Sequence, residues 1–360
     1  QPYCFMQSYT KRVKDAVSIP VSAVGRIVTP QNGEALIENG VCDIVGYGRS
    51  LLADPDYVKK IEDGQPCRIR LCMMCNKGCT DSIQNRKFLS CVLNAENGYE
   101  YERTITPADD KKKVVIVGAG PAGLEAARVA AVKGHDVIVY DKDTQVGGQL
   151  NIASVPPRKE EMNRAIHYLA NEVKVLGVDL RLGKAVTSED ILADQPDEVI
   201  VATGASNFIL NIPGKDMPHV QDAWKVLSNE QFPAGRIVVI GGGLVGADVS
   251  IVEMMDTIAK EESTTIRPEM MADFEKHGVK QFTNTKVTEI TATTVEAETA
   301  EGKVSLPCDY VVFAVGARSN AFDMTALEEK NIHVQVVGDA NKVADINSAI
   351  ESGYLAANAL

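Results

Sequence analysis

Short apolar runs that end in glycine recur along this 360-residue chain, with amphipathic stretches of helical period between them. Alternation of this kind predicts parallel strands joined by helices, which is the α/β class. Two such units come first: a strand at 21–24 with a helix at about 29–39, and a strand at 43–47 with a helix near 54–62. Since the first strand has no earlier partner, residues 1–66 are interpreted as the C-terminal piece of a (β/α)8 barrel.

The ends of these two strands suit a phosphate group. In a (β/α)8 barrel the loops after the last two strands bind phosphate, because glycine lets backbone N–H groups approach and arginine adds a bidentate charge. Gly25, Gly48 and Arg49 fit those roles. A glycine at a strand end is also common in ordinary turns, so these residues in isolation leave both interpretations open.

A complete dinucleotide-binding pattern occupies 114–141, where a strand, a glycine-rich turn, an alanine-rich helix and a second strand end in an acid. Gly118 makes the tight turn, Gly120 lets a pyrophosphate approach the helix N-terminus, and Gly123 permits close packing of the helix. Asp141 is placed to accept a hydrogen bond from a ribose. This order of elements predicts dinucleotide binding.

The pattern recurs at Gly241, Gly243 and Gly246, again after an apolar strand, with Glu253 as its acid. Glu253 follows Gly243 by 10 residues, whereas a crossover helix and its strand need about 20. The spacing therefore predicts that roughly 11 residues are absent at this point, with a join near 247–248.

Further strand ends complete a layout of two interleaved Rossmann-like domains; they lie at Gly204, Gly316 and Gly338-Asp339. The first domain is predicted at 108–213, the second as an insertion at 214–317, and the return to the first at 318–360. Gly148-Gln149 suit a loop that passes close to another face of a bound cofactor.

The segment at 67–107 is polar and contains four cysteines at the spacing x2, x3 and x11: Cys72, Cys75, Cys79 and Cys91. Three thiolates within eight residues face one centre only if the backbone wraps around it, and Gly78 relieves the crowding before the third. The spacing favours an iron–sulfur cluster. A structural zinc site stays open as the alternative, although such sites favour two separated CxxC pairs.

Composition narrows the range of partners and locations. A formal net charge of −12 disfavours nucleic acid and anionic membranes, and no apolar run is long enough to span a bilayer. The remaining cysteines, Cys4, Cys42, Cys67 and Cys308, form no disulfide-like framework, so a cytoplasmic location is expected. The oligomeric state stays open and is compatible with a homo-oligomer.

In combination, the motifs resemble the 2,4-dienoyl-CoA reductase and 2-enoate reductase branch of the Old Yellow Enzyme superfamily, which joins an FMN barrel to an FAD/NAD(P) module. The resemblance covers essentially the whole chain. It is carried by Val24-Gly25-Arg26-Ile27, Gly48-Arg49-Ser50-Leu51-Leu52-Ala53-Asp54-Pro55, the four cysteines with Thr80-Asp81, Ser90-Cys91, Gly118-Ala-Gly-Pro-Ala-Gly123, Val146-Gly-Gly-Gln149 and Val337-Gly-Asp339.

The resemblance implies four cofactor sites. It implies that the FMN phosphate end is bound by Gly25, Arg26, Gly48 and Arg49, and that a 4Fe-4S cluster is bound by Cys72, Cys75, Cys79 and Cys91. FAD falls to Gly118, Gly120, Gly123, Asp141, Gly148, Gln149, Gly204, Gly338 and Asp339, and NADH to Gly241, Gly243, Gly246 and Glu253. An acid at Glu253 with no arginine directly after it favours NADH, with NADPH left open.

The implied activity is an ene-reductase that passes electrons from NADH to FAD, then through the cluster to FMN, and finally to an activated C=C bond of a small molecule. The catalytic proton donor cannot be named, because the first six barrel strands are absent from the sequence. An amine dehydrogenase of the trimethylamine type stays open as an alternative. So does a non-catalytic electron-transfer subunit.

Overall fold

The computed structural model describes residues 2–241 and 249–360. The helices are α1 Gln7–Ala16, α2 Pro30–Glu38, α3 Gly48–Ala53, α4 Tyr57–Glu62, α5 Ser82–Gln84, α6 Pro121–Val132, α7 Gln149–Ala153, α8 Asn163–Val175, α9 Ser188–Leu192, α10 Ala223–Leu227, α11 Arg267–Lys276, α12 Thr325–Glu329 and α13 Ile346–Asn358. Single turns of 3₁₀-helix lie at Pro66–Arg68, Glu160–Met162 and Gly338–Ala340, and a π-helical turn at Lys77–Asp81.

The strands are β1 Ser22–Ala23, β2 Ile44–Val45, β3 Lys113–Val117, β4 Asp136–Tyr140, β5 Asp179–Arg181, β6 Glu198–Val201, β7 Ala205–Asn207, β8 Val220–Asp222, β9 Ile237–Ile240, β10 Val249–Val252, β11 Lys280–Phe282, β12 Lys286–Ile290, β13 Thr294–Thr299, β14 Gly302–Pro307, β15 Tyr310–Phe313, β16 Ala317–Ser319 and β17 His333–Val336.

The first part of the chain holds two parallel strands, β1 and β2, each followed by a helix. Thr29 begins α2 with a capping box, in which its hydroxyl accepts from the Asn32 N–H while the Asn32 side chain accepts from the Thr29 N–H. Tyr57 is fully buried and its hydroxyl donates to the Val28 carbonyl at 2.9 Å, which fixes α4 against the loop between β1 and α2. These two units keep the βα order that the hydrophobic pattern predicted.

The helix predicted near 54–62 differs in its start. The structure has a separate helix α3 that ends at Ala53, and α4 begins only at Tyr57. Asp54 between them is extended, because it precedes Pro55 and a proline disfavours helical geometry in the residue before it. Its carboxylate accepts from the Arg70 N–H at 2.7 Å and therefore ties the barrel piece to the cysteine segment.

Two parallel five-stranded sheets form the rest of the core. The first has the order β17-β6-β3-β4-β5, and the second β11-β10-β9-β15-β8. The final strand β17 thus returns to the first sheet after the chain has passed through the second. An antiparallel sheet β12-β13-β14 packs its apolar residues into the core of the second sheet, and β16 pairs with β7 where the chain crosses back.

Helix α6 packs against β3 and β4 of the first sheet and is buried along nine consecutive residues. It crosses α13 at a very short distance, since a Cβ atom added at Gly353 would lie 2.1 Å from the Ala122 carbonyl oxygen. The polar residues Glu125 and Arg128 on α6 are also buried, and they pair with each other at 2.6 Å. Only glycine at 353 permits this approach of the two helices.

Replacing Gly353→Ala should therefore force α13 away from α6 and lower the free energy of unfolding by about 1–3 kcal/mol, as overpacking of a core does. The urea midpoint of unfolding measures the change. Leu355→Ala is the matched control, because Leu355 lies on the same helix but is 44% exposed, and a shift within about 0.5 kcal/mol is expected. Equal midpoints for Gly353→Ala and the parent protein would contradict the packing argument.

Candidate redox-cofactor site

The cysteine loop is shaped by backbone that few residues adopt. Met74 and Asn76, which flank the second cysteine, have φ of 59° and 61°, so the chain turns sharply on both sides of Cys75. A Cβ added at Gly78 would lie 2.8 Å from the Ser90 carbonyl oxygen, and the Ser90 N–H donates to the Gly78 carbonyl at 2.7 Å. This close approach brings Cys91 back to the other three cysteines.

The four thiols are close enough to influence one another, as the ligands of one cluster would be. Burial raises the pKa of Cys75 to about 12 and that of Cys91 to about 11, and neighbouring thiols add to both shifts. Burial likewise raises the pKa of Cys72. The metal-free thiols of Cys72, Cys75 and Cys91 therefore hold their protons at neutral pH, and metal binding must displace those protons.

Backbone N–H groups and cations around the sulfur atoms offset part of the cost of burying charged thiolates. The Met74 N–H donates to Cys72 Sγ at 3.4 Å, and hydrogen bonds from backbone groups of Lys77 and Leu93 lower the pKa of Cys75 and Cys91. Arg49 and Arg164 lower the pKa of Cys72 in the same sense. Such donors stabilise thiolate ligands and tune the potential of a cluster.

Within 2–241 and 249–360, no group of three or more His, Cys, Asp or Glu side chains is placed to hold a single metal ion. A 4Fe-4S cluster spreads its ligands more widely, because each cysteine binds a different iron atom. Four mutually interacting thiols with N–H donors around them are the ligand chemistry that such a cluster requires. The residues present therefore fit the cluster.

The arginines predicted at the FMN phosphate adjoin this loop. Arg49, the second residue of α3, donates from Nη1 to Asn76 Oδ1 inside the cysteine loop. Gly25 has φ of 114°, and Gly48 has no atom within 4 Å of an added Cβ. Arg26 instead pairs with Glu161 and lies 4.8 Å from the Tyr3 ring centroid.

The first glycine turn has the shape that a pyrophosphate needs. An added Cβ at Gly118 would lie 2.2 Å from the Ala202 carbonyl oxygen, and one at Gly123 only 1.9 Å from the Gly118 carbonyl oxygen. At Gly120 an added Cβ would meet nothing within 4 Å, so the N-terminus of α6 faces open space. This turn fits the ADP part of FAD.

Asp141 lies at the end of β4, and its carboxylate binds two backbone groups: the Ala119 N–H donates to Oδ2 at 2.5 Å and the Asp143 N–H to Oδ1 at 2.8 Å. The other residues predicted at FAD lie on neighbouring loops. Gln149 Nε2 donates to Asp339 Oδ2 at 3.2 Å and lies 3.6 Å from an added Cβ at Gly204. An added Cβ at Gly148 would lie 3.1 Å from the Gly120 Cα, which joins this group to the glycine turn.

Gly338 begins the 3₁₀ turn that carries Asp339, and its N–H donates to Ser352 Oγ at 2.9 Å. An added Cβ at Gly338 would lie 2.8 Å from the Ala122 Cβ, so this turn sits directly on the first turn of α6. The loops of α6, α7 and α13 therefore meet at one end of the first sheet.

Gly241, the first glycine of the second motif, repeats the surroundings of Gly118. An added Cβ at Gly241 would lie 2.2 Å from the Ala314 carbonyl oxygen, and the Gly241 N–H donates to the Val252 carbonyl at 2.9 Å. Glu253 follows β10, and its Oε1 accepts from the Met255 N–H at 2.9 Å. The predicted residues Gly243 and Gly246, and the join near 247–248, lie outside the described residues.

One cleft of about 2450 Å³ connects the predicted sites. Its walls carry residues from each of them, including Arg49, Cys75, Gly120, Gln149 and Glu253. Flavin and nucleotide cofactors bound here would share a single space with the cysteine loop.

Sequence reasoning missed several polar residues that join these parts. Arg164 donates from Nη1 to the Cys72 carbonyl at 2.6 Å, and Asn76 and Asp81 bind residues of the second nucleotide domain. Asp81 was visible as part of the cysteine motif, but its partners are about 180 residues away in the chain. No local pattern could have revealed them.

Comparison with known proteins identifies the families. The family model described as pyridine nucleotide-disulphide oxidoreductase matches residues 112–343. The chain belongs to this family. Residues 2–67 match a second model, the NADH:flavin oxidoreductase / NADH oxidase family. The resemblance to the flavin-dependent reductases is confirmed, as is the prediction of FMN, FAD and a nicotinamide cofactor with an iron–sulfur centre.

Two relatives align with almost the whole chain. Bilirubin reductase of Mediterraneibacter gnavus is 69% identical over 372 residues, which is 100% of this chain and 58% of that protein. Cinnamate reductase of Clostridium sporogenes is 32% identical over 368 residues, 96% of this chain and 54% of that protein. The chain thus spans about half the length of its curated relatives.

Among solved structures, the 2-naphthoyl-CoA reductase complex with 2-naphthoyl-CoA has a TM-score of 0.92 and 29% identity, over 98% of this chain and 56% of that one. The predicted α/β class, with barrel piece and nucleotide-binding domains, is confirmed. No helix within the described part of the chain has the length and apolar character to cross a membrane.

Substituting Cys91→Ser should remove one cluster ligand and lower bound iron and acid-labile sulfide strongly in anaerobically prepared protein. Cys67→Ser is the matched control, since Cys67 is exposed and lies outside the four-thiol group, and its iron content should equal that of the parent. Full iron content in Cys91→Ser, or its loss in Cys67→Ser, would contradict the assignment of ligands.

Proposed function

We propose that the protein is part of an NADH-dependent ene-reductase that uses FAD, a 4Fe-4S cluster and FMN to reduce a conjugated C=C bond. In balanced form, NADH, a proton and the C=C bond give NAD⁺ and a CH–CH unit. The observation that carries the proposal is the four-thiol loop, which binds Arg49 of the barrel piece and lines one cleft with the first glycine turn and with Glu253 of the second domain.

The chain's own residues would divide the work of binding. Gly118, Gly120 and Gly123 would hold the FAD pyrophosphate, with Asp141 toward the ribose, and Gly241 and Glu253 would hold NADH. Arg49 would bind the FMN phosphate while its guanidinium is oriented by Asn76. When bound, the cluster would supply one-electron transfer between the FAD and FMN sites.

A bilirubin-like tetrapyrrole is the proposed substrate class, because the relative named bilirubin reductase is 69% identical along the entire chain. Enoates and aryl-CoA thioesters are the neighbouring alternatives, since a cinnamate reductase and a naphthoyl-CoA reductase are also similar. In the trimethylamine type of amine dehydrogenase that this motif also resembles, the third cysteine lies one residue closer, so the x3 gap before Cys79 favours a reductase.

Anaerobic assays can separate these substrate classes. The protein, loaded with flavins and cluster, is mixed with NADH and then with bilirubin, cinnamate, 2-naphthoyl-CoA or trimethylamine. Reoxidation of the NADH-reduced flavin by bilirubin, with loss of its visible absorbance, is expected. Reoxidation by none of the unsaturated compounds, or flavin reduction by trimethylamine instead of NADH, would overturn the proposal.

Specificity for NADH is proposed to rest on Glu253. Its carboxylate is oriented by the Met255 N–H, so the other oxygen can accept from a ribose 2′-hydroxyl and repel a 2′-phosphate. Glu253→Ala should raise the KM for NADH roughly tenfold, because a charged hydrogen bond is lost. Asp256→Asn, an exposed acid three residues away, is the control. An unchanged ratio of NADH to NADPH efficiency in Glu253→Ala would contradict the role.

The domain limits remain part of the proposal: 1–66 for the barrel piece, 67–107 for the cluster segment, 108–213 with 318–360 for FAD, and 214–317 for NADH. The join near 247–248 is also retained. It is supported by the alignment with bilirubin reductase, which extends over 372 positions, whereas this chain has 360 residues.

A cytoplasmic location is proposed because cluster thiolates do not persist well under oxidising conditions. A homo-oligomer remains compatible with the structure.

A further inference from the structure

A turn of the second nucleotide domain rests directly on the cysteine loop. This turn, residues 262–265, precedes α11 and follows the strand that carries Glu253. It contacts the loop at two points, Asn76 and Asp81, which lie on either side of Cys79. We call residues 262–265 the docking turn.

Asp81 makes the densest contact with the docking turn. Its Oδ1 accepts from Ser263 Oγ at 3.0 Å and from Thr264 Oγ1 at 2.8 Å, and its Oδ2 accepts from the Thr264 N–H at 3.1 Å. Ser263 is only 1% exposed. A carboxylate that accepts three hydrogen bonds from one turn fixes both the position and the orientation of that turn.

Asn76 links the docking turn to the barrel piece. Its Nδ2 donates to Thr265 Oγ1 at 2.9 Å, while its Oδ1 accepts from Arg49 Nη1. Asn76 also has the left-handed backbone that shapes the cysteine loop. One amide therefore contacts the FMN side, the loop of the cluster and the NADH side at once.

Charged pairs extend the same contact along the cleft. Lys159 pairs with Glu262 at the start of the docking turn, and Arg158 pairs with Asp273 on α11 at 2.9 Å. The side chains of Lys159 and Glu262 are 21% and 17% exposed, so this pair is largely shielded from water. The second nucleotide domain is thus held from two sides.

We propose that the docking turn fixes the NADH-binding domain against the cluster loop, and that Asp81 and Asn76 are positioning residues for hydride delivery from NADH to FAD. This inference rests on the proposed function and adds to it the element that sets the distance between donor and acceptor. The rate of hydride transfer falls steeply as the distance between donor and acceptor grows. A small displacement of the NADH-binding domain would therefore slow this step and leave the later electron-transfer steps unchanged.

The test compares Asp81→Ala, which removes all three hydrogen bonds, with the double variant Ser263→Ala/Thr264→Val, which removes the two hydroxyl donors from the side that carries no cluster ligand. Thr299→Val, at an exposed hairpin of the same domain, is the control. Anaerobic stopped-flow measures flavin reduction by NADH, and a second assay measures flavin reoxidation by bilirubin after reduction with dithionite. Hydrogen exchange reports the protection of 256–276, and iron content is measured for each variant.

Both contact variants should slow flavin reduction by NADH roughly tenfold or more, with faster exchange at 256–276 and unchanged dithionite-supported reoxidation. NADH-driven rates within twofold of the parent in the double variant would overturn the inference. So would an equal loss in both assays at unchanged iron content, because the contact would then be structural only. If Asp81→Ala loses iron, the double variant alone decides.

The first half-reaction needs no organic substrate. Failure of bilirubin to reoxidise the parent protein would therefore count against the proposed function, while the effect of the variants on NADH-driven flavin reduction would still decide the docking role.

Discussion

The cysteine segment is held in place by contacts with every other part of the chain, and the arrangement of the cofactor sites depends on it. The Asp54 carboxylate accepts from the Arg70 N–H at 2.7 Å on the barrel side. On the first nucleotide domain, Arg68 makes a two-pronged pair with Glu172, each bond 2.9 Å long, and Arg164 binds the Cys72 carbonyl. The docking turn of the second domain completes the set.

The Arg68–Glu172 contact is a charged pair with a buried carboxylate, which gives it geometric precision. Glu172 is 4% exposed, so its charge would be costly without Arg68, and the 7% exposed Arg70 donates from its guanidinium to the Tyr168 hydroxyl at 3.1 Å. A buried pair of this kind stabilises little by itself, but it penalises any other arrangement of the two elements. The position of the cysteine segment against the first nucleotide domain is set in this way.

The two nucleotide domains have the same geometry at the first glycine of the turn and at the acid that follows the second strand. In each, the first glycine of the turn faces the carbonyl oxygen of an alanine on the neighbouring strand end, at 2.2 Å from an added Cβ: Ala202 for Gly118 and Ala314 for Gly241. In each, the acid after the second strand accepts from an N–H two residues later. The two domains therefore share this local geometry, and what differs between them is the set of elements that each one contacts.

Much of this architecture follows from local sequence. Apolar runs predict the strands at 113–117 and 136–140, and the glycine spacing predicts the helix after Gly120. The spacing of the cysteines predicts the four-cysteine loop. The hydrophobic period did not predict the short helix α3 or the extended backbone of Asp54, although Pro55 indicated a break. The roles of Asn76, Asp81 and Arg164 could not be predicted, because their partners are distant in sequence and any polar residue would fit the local pattern.

Metal analysis of the anaerobically purified protein tests the central claim, that four thiols at 72–91 hold the centre on which the other sites are arranged. Iron and acid-labile sulfide in equal amounts, about four of each per chain, are predicted. Zinc without sulfide, or neither iron nor sulfide in protein kept free of oxygen throughout, would contradict the account.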